Sequence, residues 1–261
     1  GGIFISGLKT SATFVELTFT NMNADNYGGC IALANGASVV AANVAVDISS
    51  AETGGAFSVL SGSIFDMTLI TTKNVKAWHG ASLFSQSSTL VMHNKAISVL
   101  HGHAASSWNL NFPGASGAAN SVSDDLSGGG LYLYKTNVVT AVDSISKDLQ
   151  NFENPHVFCQ DNQATKGGCI FVDGSSTQNL RVHANGCKAG AVGGQDGSGG
   201  AFYLQRSTTT SVTNFQISYS LFESNVASQS GGGMYISGNV TFHVDDSIAK
   251  DNQAAVGGAM A

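Results

Sequence analysis

One short phrase returns through the chain. In "FESNVASQSGGGMYI" (Phe222–Ile236) an asparagine is followed by glycines and then by an apolar run. The same order stands at Phe158–Val172, at Ile248–Met260 and at Phe19–Leu33. A recurring unit of this kind points to a stack of repeats, and that constrains the fold more than any other feature. Taking the last glycine of each group as a marker gives Gly2, Gly29, Gly55, Gly130, Gly168, Gly200, Gly233 and Gly258, with Gly80 as a degenerate copy. The successive intervals are 27, 26, 25, 50, 38, 32, 33 and 25 residues. The unit is therefore close to 25 residues. The interval of 50 reads as two units with a missing marker near Ala104. The other wide intervals read as one unit plus an insertion, carried on loops.

Each glycine pair leads into strand-type residues: "CIALA", "AFSVL", "LYLYK", "CIFVD", "AFYLQ", "MYISG". No L-x-x-L-x-L frame and no apolar spacing of three and four residues is present, so neither a leucine-rich repeat nor a helical repeat fits. Turn residues punctuate the strands every five to ten positions. The expected fold is all-β: a parallel β-helix, or β-solenoid, of about ten coils, read as a single domain over 1–261. That domain is either a segment of a longer solenoid or a stacking unit.

The phrase has a physical reason. Glycine takes positive φ without a Cβ clash, so a pair can turn a sharp corner. The expected corner pairs are Gly28 and Gly29, Gly54 and Gly55, Gly167 and Gly168, Gly199 and Gly200, Gly232 and Gly233, and Gly257 and Gly258. Asparagine also tolerates the left-handed region, and its amide can bond the local backbone. Asn23, Asn162, Asn225 and Asn252 hold one place relative to these glycines, and each is expected to seat a corner. The residue after the pair is mostly small (Cys30, Ala56, Cys169, Ala201, Ala259), as a tight inner corner would require.

At these residues the chain resembles the polymorphic membrane protein repeat of chlamydial surface autotransporters, which pairs a GGA-[ILV] phrase with F-x-x-N. Phe222–Asn225 matches F-x-x-N strictly; Phe19–Asn23, Phe158–Asn162 and Ile248–Asn252 carry one extra residue. "GGCI" at Gly28–Ile31 and Gly167–Ile170, and "GGAM" at Gly257–Met260, stand for the glycine phrase. The resemblance implies a right-handed parallel β-helix at a cell surface, with a role in adhesion or the outer coat.

Composition narrows the function. Charged residues make up 11 % and the net charge is −6, with no basic cluster, which argues against nucleic acid. No run of about twenty apolar residues is present to span a membrane. Parallel β-helices also host pectin-active lyases and hydrolases, so catalytic residues need a search. Arg181 is the tempting lyase base, but it reads better as a surface arginine beside an insertion. The adjacent pairs Asp124–Asp125 and Asp245–Asp246 point to opposite faces of a strand, unlike spaced acid and base carboxylates. His101 and His103 could share a face and bind a metal, but no third ligand is near in sequence. "GGQDGSGG" at Gly193–Gly200 is one glycine-aspartate loop where calcium sites need consecutive copies. No catalytic residue, cofactor or metal is expected.

Cys30 and Cys169 hold the same motif place several coils apart, too far to bond. Cys159 and Cys187 are 28 residues apart, close to one coil, and are the expected disulfide; Cys169–Cys187 is the other feasible choice, and four buried thiols the alternative. Asn239 heads an N-x-T sequon and is a candidate glycosylation site in a secreted eukaryotic protein. The expected function is a non-enzymatic extracellular or cell-surface β-solenoid, structural or adhesive, in a coat or filament. Its expected partners are other copies end to end, neighbouring solenoid segments, surface glycans or other surface proteins. The alternative is a binding module with recognition loops in residues 130–233; a polysaccharide lyase or hydrolase ranks last.

Overall fold

A computed structural model describes residues 2–104, 126–141, 154–190, 197–206 and 213–261. Among them every regular element is a strand. Eight short strands form one sheet: Ile3–Ser6, Ile31–Ala34, Phe57–Leu60, Leu83–Gln86, Leu131–Tyr134, Ile170–Asp173, Phe202–Gln205 and Met234–Ser237. Each pairs in parallel with the next, in register, so Ile3, Ile31, Phe57, Leu83, Leu131, Ile170, Phe202 and Met234 lie in one line. We call each such strand, with the chain that follows it, a row. The remaining strands join in a larger sheet of eighteen, also parallel throughout.

The larger sheet bends where residues take positive φ. Ser38–Ser50 passes through two such points, Asn43 and Ile48, and Ile64–Ala77 through Leu69 and Asn74. The second bend recurs in each row, at Asn21, Ile48, Asn74, His101, Asp161, Gly186, Ser224 and Asp251. The alternation of side chains along a strand then sends every second residue inward. One inward line runs Phe19, Val46, Thr72, Val99, Cys159, Ala184, Phe222, Ala249. Val46, Val99, Cys159, Ala184 and Phe222 of this line join Phe57, Phe65, Phe202 and Phe215 in one continuous buried core, while Phe19 in the first row is partly buried and Ala249 in the last is exposed. Burying each large apolar side chain contributes about 1.5–3 kcal/mol, so the stacking of rows is the source of stability.

Two details of the repeat differ from the sequence reading. Leu83–Gln86 pairs directly with Leu131–Tyr134, and His79 with Ser127, so no row stands between Gly80 and the triplet at Gly128. The wide interval is one row, not two, and no marker stands near Ala104 among the described residues. Second, in both glycine triplets the corner is the first two residues. Gly128 and Gly231 take the positive φ of the other corners, while Gly130 and Gly233 occupy the place of Ala201 and Cys169. The pair is therefore Gly231–Gly232, not Gly232–Gly233.

Candidate functional site

The recurring phrase is the place to start, because it takes up most of the unusual residues. The first glycine of each corner (Gly28, Gly54, Gly80, Gly128, Gly167, Gly199, Gly231, Gly257) has φ between 52° and 70°. The second faces a different constraint. A β-carbon on Gly200 would lie 2.1 Å from the carbonyl oxygen of Gly232, and one on Gly168 would lie 2.2 Å from that of Gly200. Gly29, Gly55 and Gly258 hold this second place in their rows.

The asparagines act differently from expectation. The left-handed residue is the one before each of them: Asp161, Ser224 and Asp251. The amides instead bridge rows. Asn162 and Asn225 are fully buried. The backbone N–H of Gly102 donates to Asn162 Oδ1 (2.7 Å), and that of Cys187 donates to Asn225 Oδ1 (2.9 Å). Asn225 Nδ2 donates to the Ala184 carbonyl (3.0 Å) and to Asn252 Oδ1 (2.9 Å). Asn252 Nδ2 donates to the Phe222 carbonyl (2.8 Å), and its Oδ1 also accepts from the Asn225 N–H (2.9 Å). The line is not continuous, since Cys187 stands between Asn162 and Asn225. Asn23 is out of place by one residue. It pairs with Ser50, hydrogen-bonds the Ser50 hydroxyl and is exposed; Met22 holds the asparagine position. Likewise Cys159 and Ala249, not Phe158 and Ile248, occupy the inward place of Phe222.

The disulfide also differs from expectation. Cys159 is bonded to Cys169, with a Cα–Cα distance of 5.7 Å, while Cys187 and Cys30 are buried free thiols. Cys159 points inward and Cys169 sits at the inner corner, so a span of ten residues is closed through the core. Burial pushes the Cys30 thiol up to about 11 and the Cys187 thiol up to about 12.

Sequence reasoning did not find an aromatic ladder. Phe84, Tyr132, Phe171, Tyr203 and Tyr235 occupy one register line, on the face of the eight-stranded sheet opposite the core. Successive ring centroids are 5.2, 4.7, 5.4 and 5.0 Å apart, and the first three pairs are stacked within 18°. The rings meet face to face, so they stiffen the stack instead of presenting faces to a ligand. The signal was the second residue of "LFS", "LYL", "IFV", "FYL" and "MYI".

The catalytic candidates do not converge. The Arg181 guanidinium donates to Asn94 Oδ1 and lies 3.2 Å from His156 Nε2. Its backbone N–H donates to His156 Nδ1 (3.1 Å). Burial, then the Arg181 charge, push His156 down to about 3, so it is neutral. Asp66 pairs with His93 at 3.0 Å. Asp245 accepts from Gln216 (3.2 Å) and pairs with His243 (3.0 Å), while Asp246 forms a left-handed corner. His101 sits at a bend and His103 on the following strand, so the two do not share one straight strand. Among the described residues no group of three or more His, Cys, Asp and Glu could hold a metal ion. Asp124, Asp125 and Gly193–Asp196 of the glycine loop lie outside the described residues. Asn239 and Thr241 are exposed at the start of Val240–Asp245, and the Asn239 carbonyl accepts from Arg206 (3.1 Å).

One concavity lies on the larger sheet. It has a volume of about 340 Å³ and is lined by Asn137, Val139, Thr140, Gln178, Asn179 and Asn214 among others, with no charged residue. Thr140 Oγ1 donates to the Gln178 carbonyl (2.8 Å), which ties two rows of the lining together. Comparisons with protein-family models, curated proteins and solved structures give no match for this chain. No helix among the described residues is long and apolar enough to cross a membrane.

Proposed function

We propose that the chain is a length of right-handed parallel β-helix that serves as a non-enzymatic structural or adhesive element of a cell surface, coat or filament, as the polymorphic membrane protein repeats do. The observation that carries this reading is where the demanding residues are used. The buried amides, the corner glycines and the aromatic ladder all make row-to-row contacts. Right-handedness follows the general rule for crossovers between parallel strands of one sheet. The eight-stranded sheet supports a reading of about eight coils. The Cys159–Cys169 bond supports an oxidising, extracellular setting. Phe14, Phe19 and Phe242, in the first and last rows, are only partly buried against the core. The rows of a second copy stacked end to end would cover them. The test is incubation of the purified chain with polyuronate and neutral polysaccharides, beside electron microscopy of its assemblies. Ordered assemblies without release of shortened glycan support the reading; depolymerisation of any glycan overturns it.

The polar concavity favours a second reading, a binding module within residues 130–233. Uncharged amides and hydroxyls beside an exposed Val139 suit a neutral glycan, which offers hydroxyls and apolar ring faces. Gln178→Ala and Asn214→Ala are expected to weaken binding of neutral oligosaccharides at least tenfold. Unchanged binding in both variants would remove this reading and leave the first intact.

A further inference from the structure

Three of the four cysteines meet in one region of the core. In the row that begins at Cys169, Cys187 holds the position that follows the second bend. The same two positions are occupied elsewhere by residues in contact. Cys30 and Ser49 have Sγ and Oγ 3.3 Å apart. A β-carbon on Gly130 would lie 3.3 Å from Asn162 Nδ2, and one on Gly233 would lie 3.4 Å from Asn252 Nδ2. The repeat thus sets Cys187 beside Cys169. The position of Cys159 relative to Cys169 is that of Thr72 relative to Ser82, whose hydroxyls are 2.8 Å apart. Cys169 therefore stands between two partners.

Asn162 adds an independent observation. It is fully buried, yet its Nδ2 makes no hydrogen bond, whereas the equivalent Nδ2 atoms of Asn225 and Asn252 each donate to a backbone carbonyl. Asn162 Nδ2 and Cys159 Sγ both lie 3.3 Å from the point where a β-carbon on Gly130 would sit. A buried donor without an acceptor is costly unless some state of the protein supplies one.

We propose that Cys159, Cys169 and Cys187 form a disulfide-exchange site in which Cys169 is the shared sulfur and Asn162 Nδ2 receives the leaving thiolate. Cys187 loses its proton and attacks Cys169 Sγ. The Cys159–Cys169 bond breaks, the Cys169–Cys187 bond forms, and Cys159 leaves as the thiolate and takes up the proton. No electrons are gained or lost overall, so no external oxidant is needed. The closed span changes from one that joins two rows to one that lies within a single row. The buried Cys187 thiol makes the exchange slow, because the thiolate is the attacking species.

The test is peptide mapping without reduction. The whole chain is held at pH 8.5 for hours, quenched in acid and alkylated at low pH. The expected result is a mixture of two species, Cys159–Cys169 with free Cys187, and Cys169–Cys187 with free Cys159. A Cys159→Ser chain treated with glutathione disulfide should form Cys169–Cys187 alone, and Cys187→Ser should hold Cys159–Cys169 alone. Finding only Cys159–Cys169 in the unaltered chain would overturn the proposal. So would bonds to Cys30, which would mean scrambling through global unfolding. Asn162→Leu should lower the fraction of the second species at least threefold; an unchanged fraction would remove the role of the amide.

Discussion

Asn225→Ala tests the use assigned to the buried amides. The side chain is fully buried and makes three hydrogen bonds: from the Cys187 N–H at 2.9 Å, to the Ala184 carbonyl at 3.0 Å and to Asn252 Oδ1 at 2.9 Å. Truncation strands the Cys187 N–H and deprives Ala184 of one donor. Asn252 Oδ1 keeps the bond from the Asn225 backbone. A stranded buried donor costs about 1–3 kcal/mol, and the lost acceptor contact about 1 kcal/mol more. The vacated volume brings the total to about 3 kcal/mol, or a Tm lower by roughly 6–12 °C. The comparison is Asn23→Ala, which removes an exposed amide and should stay within about 0.5 kcal/mol. Thermal melts of the two variants provide the assay, with hydrogen exchange at the Cys187 amide as the local readout. Equal melting shifts, or unchanged protection of Cys187, would refute the reasoning.

Four further outcomes follow from the geometry. Gly200→Ala places a β-carbon 2.1 Å from the Gly232 oxygen, so the backbone must shift; Ala81 holds the equivalent place in its own row, so the chain should still fold but with a lower melting temperature, read by circular dichroism. Tyr132→Ala removes ring contacts at 5.2 and 4.7 Å and should cost about 2–4 kcal/mol in denaturant melts, with loss of near-ultraviolet dichroism. Reduction of Cys159–Cys169, which closes ten residues, should lower stability by about 2.5 kcal/mol in the same melts. His156 has its pKa depressed from 6.5 to about 3 in the folded protein, so its neutral form is favoured there. Its contribution is full above pH 6.5 and is lost as pH falls from 6.5 toward 3, by up to about 4 kcal/mol. His156→Asn should flatten that part of the stability profile.

The period, the parallel strands and the corner glycines were legible because each depends on a residue type at a fixed interval. The errors came from single-residue shifts. Met22 to Gly28 spans six residues and Asn162 to Gly167 five, so counting back from the glycine put Asn23 in the wrong place. In a triplet of glycines, identity does not say which two make the corner; the pairing of Ser230 with Val256 and Ser198 does. The interval from Gly80 to Gly130 happened to equal two periods, yet the strands on either side of it are neighbours. The disulfide was missed because Cys159 and Cys169, only ten residues apart, were not weighed as a pair. Two positions ten residues apart meet across the core when the chain turns between them. The ladder was missed because neighbouring strand positions are both apolar, which hides which face is which.

In the proposed function this solenoid is a structural part of a cell exterior. Immunogold electron microscopy on intact, unpermeabilised source cells, with antibody raised against this chain, tests it most directly. The expected result is dense label on the surface, in a layer or along filaments. Label confined to the cell interior, appearing only after permeabilisation, would contradict it.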